Sequence, residues 1–173
     1  GWLSGIPQRI GFSTSAGRLF LTRTVAFSWP MHDLSRNLSL LLPLSPDLNV
    51  RKDESKYITS DASTDAAIRD RLKAAGVAPE DAVVGIHPGS AWPTKRWLAE
   101  RFTELAVRFE KKGFRVVLIG GKQDRELCEK VARGTRAIDW AGETDLRDLK
   151  SIMGRLSLFI TNDSGPMHIA TAS

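Results

Sequence analysis

The sequence has a single cysteine, Cys128, among its 173 residues. One cysteine excludes an internal disulfide framework and any metal site built from several cysteines of this chain. Long apolar runs are also missing, since the leucine-rich stretch 38–44 is far shorter than the roughly 20 residues that span a bilayer. The first residues lack the charged start and apolar centre of a signal peptide. These absences favour a chain that is soluble or at most peripheral to a membrane, in a reducing compartment, with Cys128 as a small packed residue.

The charge balance is basic, with a formal net charge of +5 and a pI near 9.7. Such a balance suits acidic partners, namely nucleotides, phosphorylated sugars, nucleic acid or an anionic membrane surface. The charge does not choose among these four. A hydrophobic content of 42% is ordinary for a globular protein and allows a core of useful size.

The organisation along the chain predicts two domain parts and a linker. Residues 1–44 carry a short extended candidate at 9–12 and a helical pattern at 32–42, which is too little to bury a core alone. We interpret them as the end of a domain whose earlier part is absent. The polar stretch 45–62 is interpreted as a linker. Residues 63–173 then form a second, truncated domain.

Strands and helices alternate in this second part, which is typical of a doubly wound, Rossmann-like parallel sheet. Ser63 or Thr64 is expected to cap the first helix. The predicted strands lie at 82–87, 115–119, 137–139 and 156–160, and the predicted helices at 63–75, 98–112, 125–133 and 146–153. The last strand is predicted to be central and covered on both faces. The first and fourth strands should lie side by side, with a ligand crevice beyond their carboxyl ends.

The loop after the last strand has the composition of an anion-binding helix start. Asp163 and Ser164 can cap the helix, Gly165 lets the backbone approach a ligand, and Pro166 suits its first position. Asp163 has two interpretations, as the N-cap or as an acceptor for sugar or ribose hydroxyls. His168, near the helix start, is either a neutral hydrogen-bonding ligand residue or a packed histidine.

The loop after the first strand carries cations that suit a diphosphate. Ser90 offers a hydroxyl, while Lys95 and Arg96 offer charge-assisted hydrogen bonds. The alternative is a solvated basic loop, but the expected position beside the last loop favours binding. His87 either points into the crevice or has a structural role. Trp92 is a candidate for stacking on a base or sugar.

A third loop follows the second strand. Asp124 either reaches a ribose hydroxyl or belongs to a surface turn. Gly120 and Gly121 are not the fuller GxGxxG signature, which disfavours a nicotinamide-dependent oxidoreductase. Trp140 is a candidate neighbour of an adenine pocket, and Trp97 is expected to pack.

Four motifs carry a family resemblance: HPGSAWPTKRW at 87–97, VVLIGGKQD at 116–124, AGETDL at 141–146 and TNDSGPMHIATA at 161–172. In order and spacing they resemble the second domain of the ADP-heptose:lipopolysaccharide heptosyltransferases, glycosyltransferase family 9, with the second heptosyltransferase type as the nearest form. Upstream segments at 5–25 and 32–41 resemble the end of that family's first domain. Leu98 departs from the pattern, because the family usually has proline there.

The resemblance implies a B-type glycosyltransferase that transfers heptose from ADP-heptose to the lipopolysaccharide inner core, without a cofactor or an essential metal. It implies a cytoplasmic enzyme, peripheral at the inner face of the inner membrane, that binds no nucleic acid. The family's base lies near the start of the first domain, so the chain is expected to carry mainly the donor-binding half. A noncatalytic nucleotide-binding module or truncated remnant is the alternative. The family's donor-binding positions match Lys95, Asp163, Ser164, Gly165 and His168.

Overall fold

A computed structural model describes residues 5–14, 16–31, 33–47 and 60–172 of the chain. The chain divides into two compact units, Gly1–Ser55 and Lys56–Ser173. Most of the interval that the sequence predicts as a linker, 48–59, lies outside the described residues. Within the described part of the chain, no helix combines the length and the apolar composition needed to cross a membrane.

The first unit contains a parallel strand pair and a short helix. Strand β1 (Ile10–Phe12) pairs with β2 (Arg23–Val25), and Ile10 lies opposite Arg23. The extended candidate at 9–12 is confirmed as β1, whereas β2 was not predicted. Its residues alternate too briefly between polar and apolar types to give a strand signal in the sequence.

Helix α1 (Asp33–Leu38) is shorter than the helix predicted at 32–42. A 3-10 turn, Ser39–Leu41, follows it. Because a 3-10 turn has three residues per turn, it shifts the register of the leucines that an uninterrupted helix would align. The leucines of this segment are therefore not aligned as in one continuous helix, and Leu34 and Leu41 are exposed. His32, the predicted start, lies outside the described residues.

The second unit is built on a four-stranded sheet in the order β5-β4-β3-β6, with every neighbouring pair parallel. The predicted alternation of strands and helices is confirmed, with small shifts at the ends. The elements are α2 (Ala62–Ala74), β3 (Val83–His87), α3 (Ala99–Lys111), β4 (Arg115–Leu118), α4 (Arg125–Ala132), β5 (Ile138–Asp139), α5 (Leu146–Met153), β6 (Leu158–Thr161) and α6 (Gly165–Thr171).

The core has two layers, one on each face of this sheet. Successive strand side chains point to opposite faces, so Val83 packs with α2 and α5, whereas Val84 packs with α3 and α4. All five residues of β3 are buried. Cys128 lies in the second layer, as expected for a small packed residue. Helices on both faces of a parallel sheet confirm the predicted doubly wound class.

Within residues 60–172 the central buried strand is β3, whereas β6, which the sequence predicts to be central, has β3 as its one partner strand and packs on both core layers through Phe159 and Ile160. Strand β6 lies at the edge of the described sheet, and Leu158 is 43% exposed. Its sequence is apolar because it packs on β3 and the helices, but one of its edges has no partner strand among residues 60–172. An apolar run alone does not distinguish these two positions.

The cap of α2 also differs from the prediction. Asp61, and not Ser63 or Thr64, is the N-cap, and its carboxylate accepts a hydrogen bond from the Thr64 amide at 2.8 Å. The Ser63 hydroxyl donates to the same oxygen at 2.6 Å. An aspartate outcompetes the later hydroxyls because its carboxylate oxygens satisfy several donors of the first turn at once.

Candidate functional site

The candidate site lies where β3 and β6 end side by side. His87, the last residue of β3, is paired in register with Thr161, the last residue of β6. The loops that follow these strands therefore leave the sheet at the same edge, as predicted. This geometry brings together two segments that are far apart in the sequence.

Asn162 links the two loops through both polar atoms of its side-chain amide. Its Nδ2 donates to the Pro88 carbonyl at 2.7 Å, and its Oδ1 accepts from the Trp97 amide at 3.1 Å. The Ser90 hydroxyl donates to the Asp163 carbonyl at 3.1 Å. The prediction that the loops meet is confirmed. The sequence alone does not show this role of Asn162, because its partners are known only after the strands are paired.

Lys95 and Asp163 form an ion pair across the same junction. Both side chains are about half exposed. The pKa of Asp163 is lowered, first by the hydrogen bond from Lys95 and next by its charge, with His168 acting in the same direction. Asp163 is therefore ionised and engaged with a cation, and it does not cap α6.

The N-cap of α6 is Ser164, whose side chain makes no capping hydrogen bond. Its hydroxyl lies 2.9 Å from the Thr161 hydroxyl instead. The helix begins at Gly165, so Pro166 occupies the second position and not the first. This arrangement leaves the backbone amide of Gly165 at the mouth of the crevice, with no Cβ beside it.

A polar cavity of about 390 Å³ opens at this edge of the sheet. Five of the eight predicted site residues line it, and three do not. Its lining residues are His87, Ser90, Ala91, Arg96, Gly121, Gln123, Asp124, Ser164, Gly165 and Pro166. Lys95 and Asp163 pair beside it, next to the lining residues Arg96 and Ser164, and His168 is exposed one turn further along α6.

Arg96 brings a positive charge to this cavity. Its Nε donates to the Ser90 carbonyl at 2.8 Å, which fixes the base of the guanidinium against the loop. The lining thus combines one cation with the start of a helix, which is the chemistry that favours an anion. The same lining also contains an acidic residue, Asp124.

Asp124 is buried, with 4% of its surface exposed. Its Oδ2 accepts hydrogen bonds from the Gly121 amide at 2.9 Å and from the Gln123 side chain at 3.2 Å. The surface-turn alternative is wrong for Asp124, although Lys122 and Gln123 in the same turn are exposed. The sequence of this glycine-rich turn does not show that Asp124 folds back under the turn and is buried.

His87 is also 4% exposed, and its Nδ1 lies 2.8 Å from the Ile119 carbonyl at the end of β4. The sequence left a crevice role and a structural role open for this residue. The structure gives it both, because the ring binds the neighbouring strand and lines the polar cavity.

A second, apolar cavity of about 410 Å³ adjoins the first. The two share Gly121, Gly165 and Pro166 in their linings. The apolar cavity is lined by Ile119, Gly120, Gly121, Thr144, Asp145, Leu146, Leu149, Gly165, Pro166 and Ile169. A largely apolar lining is thus continuous with one that carries charged and polar side chains.

Neither of the tryptophans considered as ligand neighbours lines these cavities. Trp140 is 4% exposed and belongs to the core, with the Arg71 guanidinium 4.4 Å from its ring centre. Trp92 is 67% exposed. Trp97 packs edge-on against Phe102 at 5.1 Å, as expected for a packing residue.

Two arginines hold the loop that follows β5 and leads to the wall of the apolar cavity. Arg125 donates to the Ala141 carbonyl at 3.2 Å and to the Gly142 carbonyl at 3.3 Å. Arg71, from α2, donates to the Glu143 carbonyl at 3.2 Å and pairs with the Glu143 carboxylate. The next residues, Thr144 and Asp145, line the cavity. The sequence held no signal for this contact, since Arg71 and Glu143 are 72 positions apart.

The thiol of Cys128 is not a reactive group. Burial raises its pKa to about 12, and the nearby charges of Asp139 and Asp124 act in the same direction. A thiol that stays protonated at neutral pH is neither a nucleophile nor a ready metal ligand. Among the residues that the structure describes, no group of three or more histidines, cysteines or acidic residues could hold a metal ion.

The sequence profile of glycosyltransferase family 9 (heptosyltransferase) matches residues 2–173. Lipooligosaccharide heptosyltransferase 2 of Haemophilus ducreyi is 32% identical over 76% of this chain and 37% of its own length. A family 9 glycosyl transferase structure from Veillonella parvula superimposes with a TM-score of 0.82 and 29% identity, over 99% of this chain and 49% of that one.

The structure of E. coli ADP-heptose lps heptosyltransferase II superimposes with a TM-score of 0.76 and 22% identity, over 98% of this chain and 54% of that one. The chain thus spans from 37% to about half of the length of these relatives. A profile match over nearly the whole chain, on a shared fold, shows the family. The chain belongs to glycosyltransferase family 9, the heptosyltransferases.

Proposed function

We propose that this chain is the donor-binding part of a heptosyltransferase that transfers heptose from ADP-heptose to the lipopolysaccharide inner core. The observation that carries the proposal is the junction of the two loops, where Arg96 and the start of α6 line one cavity and Lys95 lies beside it. Cations and helix amides at one point favour a diphosphate. The family membership and the names of the relatives support the same donor and acceptor.

The donor would lie across both cavities. We place the adenine in the apolar cavity, between Leu146 and Ile169, since a flat apolar ring is best buried there. The diphosphate would lie at Lys95, Arg96 and the Gly165 amide, and Asp124 would accept a hydrogen bond from a ribose hydroxyl. Asp163, Ser164 and His168 would then contact the transferred sugar and the phosphate next to it.

In the transfer, the bond between C1 of the heptose and the diphosphate oxygen breaks, and the acceptor hydroxyl oxygen bonds to C1. The acceptor proton goes to a base, to which we assign none of the described residues. The electron pair of the broken bond remains on the ADP diphosphate. Lys95, Arg96 and the Gly165 amide stabilise that negative charge, and so they lower the barrier to departure of the leaving group.

The proposal includes a division of labour along the chain. We infer that residues 1–44 are the end of the acceptor domain, 45–62 the linker and 63–173 the donor domain. The boundary between the two compact units, at Ser55 and Lys56, falls inside that linker interval and supports the division. We also infer a cytoplasmic enzyme that contacts the anionic inner face of the inner membrane, which the net charge of +5 supports.

Calorimetric titration of ADP-heptose, ADP and inorganic pyrophosphate into the 173-residue chain tests the proposal. We expect Lys95→Ala to weaken all three by about tenfold, because a charge-assisted hydrogen bond to phosphate is lost. Lys112→Ala is the matched control, since Lys112 is an exposed lysine at the far end of α3. Equal affinities for the wild type and Lys95→Ala would show that the diphosphate lies elsewhere.

A further inference from the structure

We propose that His87 completes a subsite for sugar hydroxyl groups beside Asp124 in the polar cavity, as a specificity-determining residue of the donor site. The proposal rests on the proposed function, because it concerns the ligand of the same crevice. It adds a residue, His87, and a direction of hydrogen bonding. Both side chains are 4% exposed and line the cavity.

The hydrogen bond at Nδ1 decides what the other ring nitrogen of His87 can do. The Ile119 carbonyl oxygen, 2.8 Å from Nδ1, can only accept a hydrogen bond. In the neutral ring the proton therefore lies on Nδ1, and Nε2 carries a lone pair. A histidine held in this tautomer is an acceptor and requires a donor from its ligand.

Asp124 contributes a second acceptor. Its Oδ2 is occupied by the Gly121 amide at 2.9 Å and the Gln123 amide at 3.2 Å. Its Oδ1 receives no hydrogen bond from the residues that the structure describes, although the side chain is buried. This oxygen is not among the fully buried, unpartnered side-chain atoms of the described residues, so it is open to a hydrogen-bond donor from a ligand.

Gly89 shows that the two acceptors converge. A Cβ built on Gly89 would stand 2.8 Å from Cε1 of His87 and 2.7 Å from Cγ of Asp124. The two side chains thus approach the same residue, His87 from the end of β3 and Asp124 from the turn after β4. Glycine at position 89 lets both side chains pack this closely, because a Cβ there would displace them.

Two adjacent acceptors select the chemical class of the ligand. A phosphate oxygen would be repelled by the carboxylate and would offer no proton to Nε2. A sugar hydroxyl donates to either acceptor, and a pair of neighbouring hydroxyls can satisfy both. The cavity therefore has an anion side at Arg96 and Gly165 and a hydroxyl side at His87 and Asp124. The hydroxyls come either from the ribose of the nucleotide or from the transferred sugar.

The test is a calorimetric comparison of the wild-type chain with His87→Asn and His87→Gln. Asparagine can keep a donor near the Ile119 carbonyl but has no acceptor at the Nε2 position, whereas glutamine can place its oxygen there. Inorganic pyrophosphate, which has no sugar, should bind all three proteins equally. ADP or ADP-heptose should bind His87→Asn about tenfold more weakly and His87→Gln nearly as well as the wild type.

Deoxy analogues identify the source of the hydroxyls. If the subsite binds the ribose hydroxyls, 2′-deoxy-ADP or 3′-deoxy-ADP binds the wild type more weakly than ADP, and His87→Asn abolishes that difference. If the subsite binds hydroxyls of the transferred sugar, the deoxy analogues bind the wild type as tightly as ADP does. In that case His87→Asn reduces the difference in affinity between ADP-heptose and ADP.

Three outcomes would overturn the subsite. The first is that His87→Asn binds ADP and ADP-heptose as tightly as the wild type, and the second is a tenfold loss of affinity for these ligands in His87→Gln. The third is a wild-type affinity that changes neither when a ribose hydroxyl is removed nor when the heptose is added. The last two outcomes can be measured even if His87→Asn does not fold. In each case the proposed function survives as long as the wild type binds ADP and pyrophosphate. Failure of the wild type to bind either ligand would instead overturn the proposed function.

Discussion

Lys95 and Asp163 are 68 positions apart in the sequence and form an ion pair at the carboxyl edge of the sheet. The pair exists because β3 and β6 are neighbours, so that the loops after them share one edge. It places an acidic group against the lysine that we assign to the donor diphosphate. A diphosphate and the Asp163 carboxylate therefore compete for the same cation.

This competition predicts the effect of Asp163→Asn. Removal of the carboxylate charge should let inorganic pyrophosphate bind about three- to tenfold more tightly, because Lys95 is no longer neutralised. The advantage of ADP-heptose over ADP should fall, since the sugar loses a charged acceptor. Calorimetry measures both, with Asp70→Asn on the exposed surface of α2 as the control. Weaker pyrophosphate binding would contradict the competition.

Gly89→Ala is predicted to displace two side chains that line the polar cavity without straining the backbone, since φ of Gly89 is not positive. The new methyl group would press on His87 and Asp124. We expect a loss of about 1–3 kcal/mol in the free energy of unfolding, typical of overpacking, and at least a tenfold loss of ADP affinity. Urea denaturation and calorimetry measure the two effects.

Gly154→Ala provides the matched control for that substitution. The nearest atom to a Cβ at Gly154 is 3.5 Å away, which is an ordinary contact, and the residue is exposed. Its free energy of unfolding should stay within about 0.5 kcal/mol of the wild type. If Gly89→Ala lowers the free energy of unfolding no more than Gly154→Ala does, a methyl group at Gly89 does not crowd His87 and Asp124.

Arg71→Met is predicted to weaken the binding of ADP but not of pyrophosphate. The substitution removes the hydrogen bond and the ion pair that hold Glu143, and so loosens the wall of the apolar cavity. A loss of about fivefold in ADP affinity corresponds to one such contact. Arg69→Met, an exposed neighbour on α2, should change neither affinity. Equal loss for both ligands would indicate general destabilisation.

Asp61 gives a prediction for pH. Its pKa is lowered from 3.8 to about 2, first by the Ser63 hydroxyl and next by the Thr64 amide. The unfolded chain therefore takes up the proton first as the pH falls. The stabilisation from this cap is fully present above pH 3.8 and is lost as the pH falls towards 2.

Urea denaturation of the wild type and Asp61→Ala at several pH values measures this effect. The difference in free energy of unfolding should be constant from pH 7 to 5 and shrink below about pH 4. Asp61→Asn is the control, because asparagine also caps helices and does not titrate in this range. A wild-type advantage that persists unchanged at the lowest pH would contradict the assignment of the cap.

Local patterns in the sequence were enough for the order of the elements. The apolar run at 82–87 and the helical patterns at 98–112 and 146–153 depend on neighbours within a few positions, and all three are confirmed. The meeting of the two loops also followed from the sequence, because the topology of a doubly wound sheet is restricted. The motifs themselves were sufficient to indicate the family.

Only the tertiary structure decided what depends on partners distant in the sequence. It placed β6 at the edge of the described sheet, assigned Asp163 to Lys95 and not to the helix cap, and buried Asp124 beside His87. The physical reason is that capping, pairing and burial compete for the same side chains. The outcome is set by which donors and charges the packed strands bring within reach, and the sequence does not contain those distances.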